Sequence, residues 1–268
     1  MIVHLTNTLS AGWTLALRSI RVQMREHVLG YAWTLIIPML YAVFYIFIKR
    51  ELTGGVSMQT AAAGWDALRA FTGITLFQCW MQVVQDMSDM IRRQRGMLRG
   101  LNIGPTPFVL AIVFEGIVSL MIRILLIIAA IPILGLEFPS MMSTWLWFII
   151  CLLVLHLTAI AVGLLLAPWA ALYADVSKAL RSLSMPLMLM SPILYPAVER
   201  NDSMLYWLNI ANPIASPLAV LADVLHGKAW SIYTVPMLFW GVLSVVLLLW
   251  SLAQLRRQVP ILLERLGS

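Results

Sequence analysis

The chain has 268 residues, of which 61% are hydrophobic and 11% charged, and its net charge is +6. This balance excludes an ordinary soluble domain. It suits about six membrane spans of roughly 20 residues each, so residues 1–268 are expected to form a single transmembrane domain. The positive charge lies at the ends of apolar runs, so membrane topology explains it better than nucleic-acid binding. Cys79 and Cys151 lie in apolar stretches and are interpreted as core residues.

Residues 11–27 have the pattern of an amphipathic helix. The apolar side chains recur at helical spacing: Trp13, Leu17, Ile20 and Met24. The basic side chains lie on another face of the same helix: Arg18, Arg21 and Arg25. The pattern is typical of a helix lying in the membrane interface. The alternative is a soluble amphipathic helix, but the chain offers nothing soluble for it to pack on.

Long apolar runs predict six membrane-spanning helices. The predicted spans are 31–48, 71–87, 108–134, 145–169, 183–195 and 232–255. The fifth is short and is interrupted by Pro186 and Pro192, and a short charged loop at 173–181 is expected before it. The fold class predicted is therefore an all-α integral membrane protein.

The densest basic segment, residues 92–107, follows the second span. Its arginines are Arg92, Arg93, Arg95 and Arg99. It could do no more than fix the topology, since Lys and Arg near span ends resist translocation. It could instead form a short docking helix that inserts apolar side chains into a cytoplasmic partner. The candidate docking residues are Arg95, Met97, Leu98, Arg99 and Leu101.

Residues 204–225, between the fifth and sixth spans, are mostly apolar but broken by Asn212, Pro213 and Pro217. Each piece is too short to cross a bilayer. We expect a re-entrant pair of half-helices, because broken backbone at membrane depth is tolerated where protein or water covers it. An ordinary interfacial loop is the alternative.

The distribution of basic residues predicts that both termini are cytoplasmic. In that topology twelve Lys or Arg lie inside: Arg18, Arg21, Arg25, Arg92, Arg93, Arg95, Arg99, Lys178, Arg181, Arg256, Arg257 and Arg265. Five lie outside: Lys49, Arg50, Arg69, Arg200 and Lys228. The excess on one side follows the positive-inside rule.

The sequence shows no catalytic constellation and no phosphate-binding loop, since the position five before Gly227-Lys228 is alanine. Glu115, Arg123 and His156 lie within spans, where ionisable groups should face protein or water. They could form a structural pair or serve a function. Aromatic residues within or beside spans could line a lumen on which sugar rings stack, or could face lipid and core: Trp33, Tyr41, Phe44, Phe77, Trp80 and Tyr195.

The opening of the chain resembles the permease subunits of ABC-2-type polysaccharide exporters, which serve capsule, O-antigen and teichoic acid export. The resemblance rests on spaced arginines (Arg18 and Arg21), the run Leu29-Gly30-Tyr31-Ala32-Trp33, and Pro38 within the first span. It continues as architecture over nearly the whole chain, including Glu115 and the pair Asn212-Pro213.

The resemblance implies a homodimer bound to two copies of a separate cytoplasmic ATPase, in a bacterial inner membrane. ATP and Mg²⁺ would be bound by that ATPase, and this chain would hold no cofactor and catalyse no reaction. The loop at 92–107 would be the coupling helix, and the pair at 204–225 would gate a channel for a lipid-linked capsular or O-antigen polysaccharide. Periplasmic export proteins would be further partners.

Three other functions remain open from the sequence. One is an ABC-2 permease for a drug or a lipid, with the same architecture. Another is an ion-coupled secondary transporter that uses Glu115, Arg123 and His156 as its relay. Inverted repeats would support the second class, and none is seen. A membrane scaffold without transport activity is a third alternative.

Overall fold

The computed structural model describes residues 2–26, 33, 36–37, 39–40, 43–44, 47–48, 51, 61–100, 104–200, 202–228 and 230–265. Every regular element in these ranges is a helix, which confirms the all-α class for the described residues. The helices are α1 (Ile2–Glu26), α2 (Ala61–Arg93), α3 (Arg95–Gly100), α4 (Thr106–Ile133), α5 (Met142–Leu172), α6 (Ala174–Leu189), α7 (Met204–Ala211), α8 (Ala215–Leu225) and α9 (Thr234–Arg265).

Half of the predicted first span, 31–48, lies outside the described residues, and that half includes Pro38 and Tyr41. The positions that are described between 33 and 51 are all helical. The side chains of Trp33 and Phe44 are 48% and 60% exposed.

Three of the described helices are long and apolar enough to cross a membrane: α4, α5 and α9. Together α7 and α8 would make a fourth, but they are bent by 103° at the break between them. The six-span count therefore stays a prediction.

Helix α2 is long enough to cross a bilayer but is not apolar enough to be counted among those spans. Its 33 residues extend about 50 Å at 1.5 Å per residue. It packs against α4, α5 and α6, and most of its side chains are buried. Helix α5 in turn packs against α2, α9, α8 and α6. The core of the bundle therefore lies between α2 and α5.

Helix α6 differs from the sequence prediction at both ends. The expected loop at 173–181 is helical, because only Tyr173, with φ −123° and ψ 111°, separates α5 from α6. Its charged residues had suggested a loop, yet Ser177 is buried while Lys178 and Arg181 are exposed, as on an amphipathic helix. The predicted fifth span, 183–195, therefore ends early, at Leu189.

The last helix, α9, continues ten residues past the predicted end of the sixth span at residue 255. Arg256 and Arg257 therefore lie on the helix, not in a tail.

The bundle has two distinct ends. We call one the basic end; it holds the α2–α3 junction, the α5–α6 turn and the last turns of α9. The other, the opposite end, holds the α4–α5 loop, the α6–α7 segment and the loop after α8. Glycines with positive φ end α4 and α8 there, Gly135 at 69° and Gly227 at 82°.

Glycine permits the closest helix contacts in the core. A Cβ added at Gly163 of α5 would lie 2.6 Å from Cβ of Met87 and 2.9 Å from the carbonyl oxygen of Val84, both on α2. Small residues at such contacts allow membrane helices to approach closely.

Candidate functional site

At the basic end, carboxylates of α2 hold two arginines and a serine of α6. Asp89 has a side chain only 6% exposed; its carboxylate accepts hydrogen bonds from Ser177 at 2.5 Å and from Arg92 at 3.0 Å. Arg93 reaches Asp86 at 2.6 Å and Asp89 at 3.3 Å. This network fixes the end of α2 to the first turn of α6.

A short helix, α3, follows this network across one turn residue, inside the segment predicted to contain a docking helix. Leu98 is 4% exposed and belongs to the hydrophobic core, and Met97 packs partly against that core. The guanidinium of Arg99 donates to the carbonyl oxygen of Leu263 in α9. Helix α3 is therefore attached both to the bundle core and to the last helix.

These contacts divide the predicted docking residues into two groups. Leu98 is buried and does not face a partner, whereas Arg99 is exposed although it donates a hydrogen bond to Leu263. Arg95 and Met97 are half-buried, and Leu101 lies outside the described residues. Gly96 is exposed, and a Cβ added there would meet nothing within 4 Å. The free surface of α3 therefore lies around Gly96.

Helix α1 packs along α4 through small residues, a contact that the apolar stripe in the sequence did not indicate. A Cβ on Gly12 would lie 2.8 Å from Cβ of Leu110, and Ala16 is 1% exposed. Trp13 is 49% exposed and meets Phe114 of α4 edge to face, with 5.5 Å between ring centroids. The interfacial placement of α1 stays a prediction.

The basic residues of the predicted interfacial helix are only partly described. Arg18 and Arg21 are exposed, and the side chain of Arg25 lies outside the described residues.

A groove of about 260 Å³ runs between α2 and α6, and we call it the glutamine groove. Three glutamines line it from α2, Gln78, Gln82 and Gln85, at the i, i+4, i+7 spacing that places them on one face. The same face continues through Asp86 to Arg93 at the basic end. Polar side chains in a membrane helix are expected to face protein or a water-filled path.

The sequence contained the signal for this groove, because three glutamines recur at helical spacing within the predicted second span. Aromatic and ionisable residues were predicted to line the pathway, and these three glutamines were not. Gln82 accepts from Arg123, while Gln78 and Gln85 make no side-chain hydrogen bond among the described residues. The groove therefore presents two amides that are available to a ligand.

The predicted channel aromatics occupy different environments. Trp80 is 5% exposed, and its indole N–H donates to Oγ1 of Thr158 in α5 at 3.0 Å, so it is part of the core. Phe77 lines the glutamine groove but is only 3% exposed. Trp33 and Phe44 are exposed. Amides and methionines, not stacked rings, therefore form most of the groove surface.

Arg123 of α4 is buried against α2. It donates to the carbonyl oxygen of Thr75 at 2.6 Å and to Oε1 of Gln82 at 3.2 Å. Ser119 lies 3.4 Å from the same Gln82 oxygen. No acidic side chain pairs with Arg123 in the part of the chain that the structure describes. The arrangement fixes Gln82 within the glutamine groove and fastens α4 to α2.

The three ionisable residues predicted within spans do not meet. Glu115 hydrogen bonds to Ser19 of α1. The imidazole of His156 lies against Gly116, where an added Cβ would be 2.7 Å from its Cε1. No described contact joins Glu115, Arg123 and His156 into a relay. In the described chain no group of acidic, histidine or cysteine side chains has the arrangement of a metal site.

At the opposite end, the break between α7 and α8 is held by neutral hydrogen bonds. Asn212 donates to Oγ of Ser191 at 3.0 Å and accepts from the backbone N–H of Ile214 at 3.1 Å. Pro213 lies in the break, and Pro217 lies in the first turn of α8, where the missing N–H costs little.

The surroundings of the break are also hydrogen bonded. The hydroxyl of Tyr195 lies 3.0 Å from the carbonyl oxygen of Met190 and 3.2 Å from Oδ1 of Asn209. The indole of Trp240 in α9 donates to the carbonyl oxygen of Ile210 at 2.8 Å. Helix α7 is thereby attached to the turn after α6 and to α9.

Ion pairs lie near this break but do not hold it, and Lys228 makes two of them. Lys228 reaches Glu199 at 2.9 Å and Asp223 at 3.0 Å, and these hydrogen bonds raise the pKa of Lys228. Because the lysine is half-exposed, its ion pairs contribute little stability.

Long apolar helices, a basic end with a short exposed helix, and a bent helix pair at the other end define a helical membrane protein. Residues 10–226 match the ABC-2 type transporter family, which is well over half of the chain, and the chain belongs to that family. It is therefore the transport permease subunit of an ABC transporter, which works with an ABC ATPase in a separate subunit. A comparison with curated proteins found no match.

Proposed function

We propose that the chain is the permease of an exporter that moves a polysaccharide, carried on a lipid, out of the cytoplasm. Two copies would form the pathway and bind two copies of the ATPase. The excess of basic residues at one end supports a cytoplasmic basic end with both termini inside. Six spans would follow, with the first at 31–48 and the second within α2.

The observation that carries the cargo assignment is the glutamine groove. Its amides can donate and accept hydrogen bonds with hydroxyl groups, as carbohydrate requires. Gln78 and Gln85 have no other described side-chain partner, and Arg123 fixes Gln82 between them. An uncharged row of amides holds a hydroxyl-rich polymer at many equivalent positions, which suits a chain that must slide.

The attachment of α3 supports its role as a coupling helix. Leu98 anchors the helix in the core, and Arg99 connects it to α9. The adjacent network at Asp89 connects the end of α2 to α6. A push on α3 by the ATPase would therefore move the helices on both sides of the glutamine groove.

The broken pair α7 and α8 supports a gate at the opposite end. Its 103° bend makes each piece too short to cross, and α8 is buried against α5 and α9. In the proposed topology the pair re-enters from the outer side, where Asn212, Pro213 and Pro217 form or adjoin its turn.

Deleting the chain in its host tests the cargo. We expect the surface polysaccharide to remain in the cytoplasm with its synthesis intact, and the wild-type chain to restore export. A Gln78→Leu/Gln85→Leu double variant should restore much less export than the wild-type chain does. Gln78→Asn/Gln85→Asn, which keeps the amides, should restore most of it. Normal surface polymer after deletion would overturn the polysaccharide assignment.

A substitution at Gly96 tests the coupling role of α3. Because an added side chain would point into open space, Gly96→Trp should leave the thermal stability of the permease unchanged and reduce co-purification of the ATPase. Asp202→Trp, at an exposed position of the opposite end, serves as the control. Equal ATPase recovery with both variants would contradict the assignment.

A drug or lipid cargo is a second candidate. Met81, Met185 and Met188 also line the glutamine groove, and methionine suits irregular apolar ligands. For such a cargo the deletion would leave surface polysaccharide normal. Replacing the three methionines by alanine would then impair transport more than replacing the glutamines.

A further inference from the structure

A second groove, of about 330 Å³, lies between α5 and α9 and has no part in the pathway proposed above. We call it the α5–α9 groove. It lies at the basic end, where both helices finish. The residues that carry the argument are Pro168 and Trp169 from α5 and Trp250, Ser251, Gln254 and Gln258 from α9.

The floor of this groove holds a buried hydroxyl without a partner and a carbonyl that lacks its usual helical donor. Ser251 is only 3% exposed, and its hydroxyl has no hydrogen-bond partner in the described part of the chain. Pro168 lies within α5 and has no N–H to donate to the carbonyl of Leu164, which also lines the groove. Burying polar groups without partners is unfavourable, so the floor favours a ligand that carries hydrogen-bonding atoms.

The residues around the groove are those expected where a bilayer changes from hydrocarbon to headgroup. Both of its walls are candidate membrane spans. Trp169 and Trp250 are 59% and 52% exposed beside it, and tryptophan prefers the membrane interface. Gln254 and Gln258 follow one and two turns beyond Trp250, past the apolar part of α9.

One basic residue, Arg257, lies beside the groove, and one acidic residue, Glu264, follows on the same side of α9 seven positions later. Arg257 is exposed and, at 100° per residue, lies about 60° around α9 from Gln254. Arg256, one residue earlier, is also exposed but lies about 160° from Gln254, on the far face of the helix. No acidic residue lines the groove.

We propose that the α5–α9 groove binds an anionic phospholipid of the surrounding bilayer. Arg257 and the two glutamine amides bind the phosphate, and the Ser251 hydroxyl donates to an ester carbonyl deeper in the groove. The backbones of Ser251 and Arg257 are separated by about 9 Å along the helix axis. The long arginine side chain can bring its guanidinium closer to Ser251 than this. An acyl chain lies between Trp169 and Trp250.

The full-length permease, purified in a neutral detergent, provides the test. Its melting temperature and its retained lipid, by native mass spectrometry, are measured with added phosphatidylglycerol or phosphatidylcholine. Phosphatidylglycerol should raise the melting temperature by several degrees more than phosphatidylcholine does, and it should remain bound to the permease. In Arg257→Gln the difference between the effects of the two lipids on melting temperature should largely disappear. In Arg256→Gln, the matched control, it should remain. Ser251→Ala and Gln254→Leu/Gln258→Leu should weaken retention.

Three results would overturn the proposal. Equal loss with Arg256→Gln and Arg257→Gln would show that lipid is attracted by the whole basic end, not by this groove. Equal effects of the two lipids would remove the anionic specificity. A changed oligomeric mass in Gln254→Leu/Gln258→Leu, with unchanged lipid retention, would make the groove a protein interface. None of these results depends on the identity of the transported substrate.

Discussion

The Asp89 network at the basic end and the α7–α8 break at the opposite end are held together by different chemistry. At the basic end, Asp89 joins α2 to α6 through charged hydrogen bonds with Ser177 and Arg92. At the opposite end, Asn212 joins the α7–α8 break to Ser191 through neutral bonds. Charge is costly at membrane depth and cheap at the water interface.

The difference has a functional meaning for a transporter driven from one side. A charged network resists deformation, so it suits a region that must pass a push from α3 to two helices together. Neutral bonds of about 1 kcal/mol each can be exchanged at little cost, so they suit a segment that opens and closes. The comparison therefore predicts a rigid basic end and a more easily opened opposite end.

The largest effect should come from the closest glycine contact between α2 and α5, in the core between the two ends. Gly163→Leu places a side chain where Cβ alone would lie 2.6 Å from Met87. We expect no folded protein, whereas Gly163→Ala should lose roughly 1–3 kcal/mol, as overpacked cores do. Gly96→Ala, which meets open space, is the control. The measurements are the monodisperse yield on size exclusion and the melting temperature in detergent.

Breaking the charged network should have the next largest effect. Asp89→Asn removes the charge that two arginines and Ser177 share, so we expect a loss of roughly 2 kcal/mol, or a melting temperature lower by about 4–8 °C. Because Asp89 is buried, added salt should not abolish the difference.

The matched control for Asp89 is Asp202→Asn, which breaks an exposed pair with Arg200 whose side chains are 71% and 81% exposed. Exposed pairs contribute little, so its melting temperature should stay within about a degree of wild type. Equal losses for the two variants would contradict the special role of the basic end.

The sequence predicted the helical class, a short helix within the basic segment and the broken apolar pair, because each depends on local composition. The docking role of that helix stays a prediction. It could not predict that Leu98 is buried or that Arg99 is engaged by Leu263, since those contacts join distant segments. Ser177 looked like part of a loop because its partner Asp89 lies 88 positions away.

The environments of the aromatic residues also could not be predicted from the sequence. Trp80 and Trp33 both lie in predicted spans, yet one is buried against α5 and the other is exposed. Apolar runs do not reveal which side of a span meets protein. The glutamine spacing on α2 was a usable signal, because amides in a span must face protein or water.

The smallest stability effect should arise at the opposite end, and it separates that end from the basic one most clearly. Asn212→Ala removes the bonds to Ser191 and to the N–H of Ile214, so we expect a loss of about 1–2 kcal/mol. Ser184→Ala removes one exposed hydrogen bond within α6, so it should lower the free energy of unfolding by less than Asn212→Ala does. Export by Asn212→Ala should change relative to wild type even though the ATPase still co-purifies, because the altered segment is the proposed gate. Reduced ATPase recovery would instead show that the break and α3 act as one rigid unit, and the contrast between the two ends would fail.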